Sequence, residues 1–220
     1  MLKKSSFDFF TELSENNTKE WFDQHRADYQ DTLDDFTAFN QNLIDAISVF
    51  DPSIAKSNLQ GKECIPRLNR DLRFAKDKSP YKTYYYSIIN EGGRKSGKAG
   101  YFIVLNPWEC YIGAGAFQPE PARLKKIRQE IEYNFENWKK IAEDKMLLKA
   151  FPDGIIAQES LQKVPKDFDA ESPAKKFLKM KGYFVRNYYP DAFFRGKDNF
   201  ETIVESFKAC QQLNSFVNAI

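Results

Sequence analysis

Two short β-rich runs in the middle of the chain, separated by a turn, limit the folds available to it more than any other feature. The stretch GYFIVLNPWECYIGAGAF, residues 100–117, contains the runs Tyr101–Leu105 and Glu109–Ala116, with Asn106-Pro107 between them. Apolar and β-branched runs that flank a turn dipeptide are typical of a β-hairpin. Lys82–Ile89 is a third candidate strand. We therefore expect an antiparallel sheet at the centre of the chain.

A helical period of apolar residues precedes this block. Asn17, followed three residues later by a glutamate, resembles a capping box, and the spacing after it predicts a helix that ends at Phe50, before Asp51-Pro52. We expect a bend near Asp34-Asp35, because an unbroken helix would be roughly 50 Å long. The N-terminal part of the chain, about 7–50, is therefore predicted to be helical.

The C-terminal part, about 119–220, is predicted to be helical and mixed. Prolines open helices at its start and at Ser172-Pro173, and YFVRNYY, residues 183–189, predicts a further strand. The central sheet, about 65–117, lies between the two helical parts. This order indicates the α+β class: one domain over 1–220, with an antiparallel sheet covered by helices and helices at both termini.

Composition and charge exclude several classes of protein. Aromatic residues make up 15% of the chain, with 20 Phe and 11 Tyr, so the protein can bury a large core. The net charge is only +2, which gives no overall attraction to nucleic acid or to an anionic membrane. We expect no signal peptide and no membrane span, and three distant cysteines suit reduced thiols in a cytoplasmic protein. With one histidine and no paired cysteines, we expect no metal site and no cofactor.

The positive charge of the chain is concentrated in one short segment. Residues 67–82 read RLNRDLRFAKDKSPYK and hold six cations against two aspartates, a net charge of +4. If residues 65–74 form a strand, alternation places Arg70 and Phe74 on one mostly apolar face. A guanidinium group buried on such a face needs a partner, because an uncompensated buried charge is strongly unfavourable.

The order of residues in this segment resembles the signature of a known family. From Arg67 to Tyr81 the sequence fits R-x-x-R-D-x-R-F-x-x-x-K-x-P-Y, and Lys82-Thr83 continues the pattern. Other stretches are similar too, namely NNTKEWF, AGYFI, KIRQEI, VPKDFD and FLKMKGY, so the resemblance covers nearly the whole chain. The family is an uncharacterised, mainly bacterial one, described only as a domain of unknown function. The resemblance implies a single α+β domain and brings no activity, substrate or cofactor with it.

The residue types in the segment favour the recognition of an anion. Guanidinium groups bind phosphate or carboxylate through two parallel hydrogen bonds, and ammonium groups add point charges. We therefore expect an anionic small-molecule ligand, such as a phosphorylated one. The expected contact set is Arg67, Arg70, Arg73, Lys78, Tyr81 and Lys82, with Asp71 orienting the arginines. No nucleophile paired with a base is visible, so an enzyme built on these residues would act by positioning and charge stabilisation.

Two other interpretations of these residues stay open at this point. In the first, the motif is an internal ion-pair network, in which Arg70 pairs with a carboxylate from a helix and Asp71 accepts from a neighbouring arginine. In the second, the motif lysines and the basic loop at 91–99 form a face for nucleic acid or an acidic protein. That loop nearly spells a phosphate-binding loop, but Ala99 stands where a hydroxyl group should hold magnesium. The single histidine, His25, is expected in the core or at an interface.

Overall fold

The centre of the molecule is a four-stranded antiparallel sheet in the computed structural model, which describes residues 1–220. The strands lie side by side in chain order, and each pairs antiparallel with the next. They are β1 (Tyr85–Asn90), β2 (Gly100–Leu105), β3 (Cys110–Ala116) and β4 (Tyr183–Tyr189). The predicted hairpin is confirmed as β2 and β3, and the predicted strand at 183–189 is the fourth member of the same sheet.

Helices precede and follow the sheet, as expected for an α+β domain with helices at both termini. Before the sheet lie α1 (Lys4–Glu15), α2 (Lys19–Gln24), α3 (Arg26–Phe50) and α4 (Pro52–Ala55), then a 3₁₀ turn at Gly61–Cys64. Between β3 and β4 lie α5 (Pro121–Tyr133), α6 (Phe135–Ala142), α7 (Lys145–Ala150) and α8 (Lys175–Leu178). After β4 come α9 (Asp191–Arg195), α10 (Asn199–Ala209) and α11 (Gln211–Asn218). None of these helices combines the length and the apolar character needed to span a bilayer.

The helices cover one face of the sheet. Alternate strand residues point to that face and are buried there; the Tyr101 ring of β2 lies 5.2 Å from the Phe207 ring of α10. Trp138 of α6 is fully buried and its ring lies 5.5 Å from that of Tyr183 in β4. The opposite face is only partly covered. It carries half-buried side chains: Tyr86, Ile88, Phe102, Val104, Tyr111 and Arg186.

The long N-terminal helix is broken at His25 into α2 and α3, and the helical assignment of α3 continues through Asp34-Asp35. His25 has non-helical dihedrals (φ −108°, ψ 25°), its ring stacks on Trp21 at 3.9 Å, and its Nδ1 lies 2.8 Å from the Trp21 carbonyl oxygen. The expected cap is also displaced by one residue, because the Thr18 hydroxyl accepts the Trp21 N–H and caps α2. The Asn17 side-chain amide therefore does not cap the helix and instead contacts the backbone of Tyr81.

Residues 65–74 do not form a strand, contrary to the expectation, and the sheet begins at Tyr85. Only Asn69 is paired, in an isolated antiparallel bridge with Tyr81. Phe74, which the alternation places on an apolar face, is 95% exposed. The segment carries a charge at nearly every second or third position, and within 67–74 only Leu68 is buried. It therefore has no continuous apolar face to lay on the core.

A single buried hydrogen bond ties β2 to the residue that follows α3, and we expect its loss to be costly. The Tyr101 hydroxyl donates to Asp51 Oδ2 at 2.7 Å, and both side chains are buried. Because a hydrogen bond to a charged group contributes roughly 1.5–3 kcal/mol, Tyr101→Phe should lower the free energy of unfolding in urea by that amount. Tyr133→Phe is the matched control, because that tyrosine is 90% exposed. It should change stability by less than about 0.5 kcal/mol. Equal effects of the two substitutions would contradict the assignment.

Candidate functional site

The predicted site segment forms a closed loop over residues 68–82, which we call the cationic loop. The Arg70 N–H donates to the Pro80 carbonyl at 2.9 Å, and the Lys82 N–H donates to the Leu68 carbonyl at 3.0 Å. These two bonds flank the isolated bridge and hold the two ends of the loop side by side. As a result, Arg70 and Lys82 lie diagonally across the bridge from each other although they are far apart in sequence.

The cationic loop is anchored to the N-terminal helices at Tyr81. The Asn17 side-chain amide donates to the Tyr81 carbonyl at 2.9 Å and accepts the Tyr81 N–H at 3.1 Å. The Tyr81 ring is buried and stacks on Phe22 of α2, with ring centroids 4.2 Å apart. Asn17 thus replaces a strand partner for the Tyr81 backbone. Sequence reasoning missed this role, because a contact between residues so far apart leaves no local pattern.

Both aspartates of the cationic loop pair with arginines of the same loop. Arg70 forms an ion pair with Asp77 and also donates to the Ser79 carbonyl at 3.1 Å. Hydrogen bonds from Ser79, and from Arg70, lower the pKa of Asp77. Arg73 Nη2 donates to Asp71 Oδ2 at 2.6 Å, and the hydrogen bonds from Arg73 lower the pKa of Asp71. The partner of Arg70 is therefore an aspartate of the loop, not a carboxylate from a helix. Because the pKa of each aspartate is lowered, both stay ionised at neutral pH.

The other motif cations have no carboxylate partner. The Lys78 ammonium donates to the Leu72 carbonyl at 3.0 Å, and the Lys82 ammonium donates to the carbonyls of Arg67 and Asn69 at 2.5 and 3.4 Å. The Arg67 side chain is exposed and makes no ion pair. None of the three groups forms an ion pair, although the Arg67 charge does act on the Asp71 carboxylate.

Lys82 lies near three other cations. It is half-buried; this burial lowers its pKa, and the charges of Arg67, Arg70 and Arg94 lower it further. The charged groups that lower this pKa are all cations. An ammonium group held near three guanidinium groups favours an anion as its neighbour.

A groove of about 610 Å³ opens beside these cations, and we call it the basic groove. Of the seven predicted site residues, the six contact residues and Asp71, four line it: Arg70, Asp71, Tyr81 and Lys82. The other three members, Arg67, Arg73 and Lys78, do not. Its remaining lining includes Asn17, Tyr84 and the Asp77 carboxylate. The structure thus brings Arg70 and Lys82 to the groove and leaves Arg67, Arg73 and Lys78 outside it.

A second hollow of about 440 Å³ lies on the uncovered face of the sheet, and we call it the sheet-face cavity. Its floor is one row across the sheet, in which Asn90, Gly100, Gly115 and Phe184 are successive partners. A Cβ atom at Gly100 would lie 2.4 Å from the Asn90 Cβ, and one at Gly115 would lie 2.3 Å from the Tyr183 carbonyl oxygen. Neither position can carry a side chain without movement of its neighbours, so the middle of the row is bare backbone.

Aromatic rings and the basic loop at 91–99 form the walls of the sheet-face cavity. Tyr84 and Tyr86 line it from the β1 side, with ring centroids 6.1 Å apart. Arg94 and Lys98 of this loop line the cavity; Lys98 is paired with Glu91 at 2.7 Å, whereas Arg94 makes no ion pair. Tyr84 lines both the cavity and the basic groove, and the two hollows therefore adjoin.

Thiol and imidazole groups line neither hollow. The three cysteines are free and buried, and burial raises the pKa of Cys64 and of Cys110 to about 11. Both thiols therefore stay protonated at neutral pH and are poor nucleophiles. His25 stacks on Trp21 at the start of α3. The site contains cations, rings and hydrogen-bonding groups, which suit binding and charge stabilisation better than covalent catalysis.

A comparison with models of protein families identifies the family of this chain. The model of the family described as conserved hypothetical protein (DUF2461) matches residues 5–216. The chain belongs to the DUF2461 family. The match extends over both termini of the fold and includes the cationic loop and all four strands, so the family resemblance expected from the sequence is confirmed. No curated protein and no solved structure matches the chain. Membership of DUF2461 carries no statement about a ligand or a reaction, so the site itself is the basis for any function.

We expect the cationic loop to lose its anchor in the variant Asn17→Ala. The backbone N–H and carbonyl of Tyr81 would then lack partners, a loss of about 1–3 kcal/mol, and the loop should open roughly 5- to 100-fold more often. Limited trypsin digestion followed by mass spectrometry measures this as faster cleavage within residues 67–82. Asn16→Ala is the control, because Asn16 donates only to the Glu12 carbonyl. Similar cleavage rates in the two variants would show that Asn17 does not hold the loop.

Proposed function

We propose that this protein binds an anionic small molecule, one that carries a phosphate group, in the basic groove beside Lys82. The observation that carries this proposal is the half-buried Lys82 ammonium, which lies among guanidinium charges and has no carboxylate bonded to it. Like charges held close together raise the free energy of the folded state. A bound anion would remove this repulsion, so the arrangement favours binding.

Two side chains offer hydrogen-bond donors to the proposed anion. Arg70 uses only Nη1 for Asp77 and Ser79, so its Nε and Nη2 donate to no protein group. The Lys82 ammonium group has three donors. Two of them bond to backbone carbonyls, and the third has no protein partner. A guanidinium edge together with an ammonium group suits a tetrahedral oxyanion, because phosphate can accept two parallel bonds from arginine and a further one from lysine.

The ion pairs of the loop have a supporting role in this proposal. Arg70–Asp77 and Arg73–Asp71 hold the loop in shape and account for both of its carboxylates. Residues 67–82 nevertheless keep a net charge of +4. Half of this excess, Arg67 and Lys82, lies where the two ends of the loop meet, and the other half is on the exposed Lys76 and Lys78. Any turnover at this site would depend on stabilising charge that develops on the bound anion.

A purely structural network is the second candidate, and the two ion pairs within the loop are the observation that favours it. It makes a different prediction from ligand binding. If the motif only braces the fold, substitutions at Lys82 should lower stability and no anion should raise the melting temperature. If the groove binds a ligand, an anion should raise the melting temperature of the wild type, because a ligand that binds the native state stabilises it.

We expect isothermal titration calorimetry to detect pyrophosphate binding that depends on Lys82. Lys82→Gln removes a charge-assisted hydrogen bond and should weaken binding about 10- to 100-fold. Lys76→Gln is the matched control: it removes one positive charge from the same loop, at an exposed lysine that makes no ion pair and does not line the groove. It should change binding by less than about threefold. An absence of pyrophosphate binding to the wild type, or equal losses in the two variants, would rule the proposal out.

The pH dependence of anion binding provides a separate test. Burial and neighbouring cations lower the pKa of Lys82 below the ordinary lysine value of 10.5. Only the protonated ammonium attracts an anion, so sulfate binding should be full at neutral pH and should weaken as the pH rises through the lowered pKa. Sulfate keeps its charge over this range, and the change therefore reports on the protein. Lys82→Arg should remove the pH dependence, because a guanidinium group stays protonated. If wild type and Lys82→Arg show the same pH profile, Lys82 is not the group that contacts the anion.

A further inference from the structure

We propose that the anion in the basic groove is the phosphate of a mononucleotide, whose base lies in the sheet-face cavity. This inference rests on the proposed function, because it assigns the phosphate to the same groove beside Lys82. The two hollows adjoin at Tyr84, which lines both. Tyr84 is therefore the place where a ligand with a flat ring and an attached anion would pass from one hollow to the other.

The floor and walls of the sheet-face cavity suit a planar ring. Gly100 and Gly115 line the floor without side chains of their own, and atoms of Asn90, Tyr183 and Phe184 fill the space where their Cβ atoms would lie. Tyr86 and Phe102 line the same cavity with aromatic faces and edges. Its volume of about 440 Å³ lies within the range of small-molecule sites. Stacking on aromatic side chains is a common way for proteins to hold bases.

The polar groups of the cavity distinguish a heterocyclic base from a plain aromatic ring. Asn90 is only 2% exposed, and its Nδ2 donates to the Lys98 carbonyl at 2.9 Å, which fixes the orientation of the amide. Asn90 Oδ1 is buried and has no hydrogen-bond partner. A buried acceptor without a donor is unfavourable, and an amino group or ring N–H of a base would supply one. Across the floor, Arg186 is half-buried and makes no ion pair, so its donors can meet the acceptors of the same base.

Arg94 connects the base site with the phosphate site. Its side chain lines the sheet-face cavity, and its charge acts on the Lys82 ammonium of the basic groove. Its Nε donates to the Glu63 carbonyl at 3.1 Å. Its guanidinium group forms no ion pair with a carboxylate. A phosphate that leaves the cavity toward Lys82 would pass this guanidinium group.

The charge distribution favours a mononucleotide over a strand of nucleic acid. The net charge of the chain is only +2, and both Asp71 and Asp77 line the basic groove. A strand would have to carry further phosphates past these carboxylates, and affinity for nucleic acid depends mainly on phosphates neutralised by cations. The site has cations for one phosphate group and no extended basic track beyond it.

The test is isothermal titration of the whole chain with the four common nucleoside 5′-monophosphates, ribose 5-phosphate and a thymidine decamer. We expect at least one mononucleotide to bind about tenfold or more tightly than ribose 5-phosphate, because a stacked base adds affinity of this order. Tyr86→Leu keeps the apolar bulk but removes a ring, and it should reduce this advantage to less than about threefold. Tyr133→Leu, a change at an exposed tyrosine outside the cavity, should leave it intact.

Arg186→Gln is the second variant, needed if Tyr86→Leu is unstable, and it should also reduce the advantage of the mononucleotide over ribose 5-phosphate. The inference is overturned if no mononucleotide binds better than ribose 5-phosphate, or if the decamer binds more tightly than every mononucleotide. Binding of ribose 5-phosphate that depends on Lys82 would in either case leave the proposed anion site standing. Failure of all the phosphates to bind would instead remove the proposed function itself.

Discussion

The helices cover only one of the two faces of the sheet, and the sheet-face cavity of the candidate site lies on the face that they leave open. Strand alternation divides three consecutive tyrosines between the faces. Tyr85 is buried against the helices, with its ring stacked on Phe36 at 5.3 Å, whereas Tyr84 and Tyr86 line the sheet-face cavity. The open face is thus aromatic and partly enclosed by the basic loop at 91–99. An aromatic surface with charged groups at its rim is a typical setting for a small-molecule site.

The cationic loop combines a structural role with an excess of charge. Its ion pairs and the Asn17 anchor fix the positions of Arg70 and Lys82, and a fixed arrangement lowers the entropy that binding would otherwise lose. The structural and the ligand-binding interpretations of the motif therefore describe different residues of one loop. Asp71, Arg73 and Asp77 belong mainly to the structural interpretation. Lys82 and the Nε and Nη2 donors of Arg70 belong to the ligand-binding interpretation.

The local patterns of the sequence predicted most of the fold. The hairpin, the strand at 183–189 and the helical termini follow from alternation, helical periods and turn residues, all of which lie within a few neighbouring positions. The strand expected at 65–74 is wrong, because its pairing depends on the return arm of the loop and on Asn17, which are distant in sequence. The break at His25 likewise depends on a ring that stacks on Trp21.

Charge density alone located the cationic loop, but it did not distinguish Arg70 and Lys82, which line the basic groove, from the other cations of the segment. The sheet-face cavity was not predicted, because its floor exists only once the register places Gly100 beside Gly115.

The most direct test of the central claim is a crystal of this protein soaked in tungstate, a heavy analogue of phosphate that anomalous scattering locates without ambiguity. The account predicts a peak in the basic groove within hydrogen-bonding distance of Lys82 Nζ and the Arg70 guanidinium. A groove without a peak, with the Lys82 ammonium still bonded only to the carbonyls of Arg67 and Asn69, would contradict it.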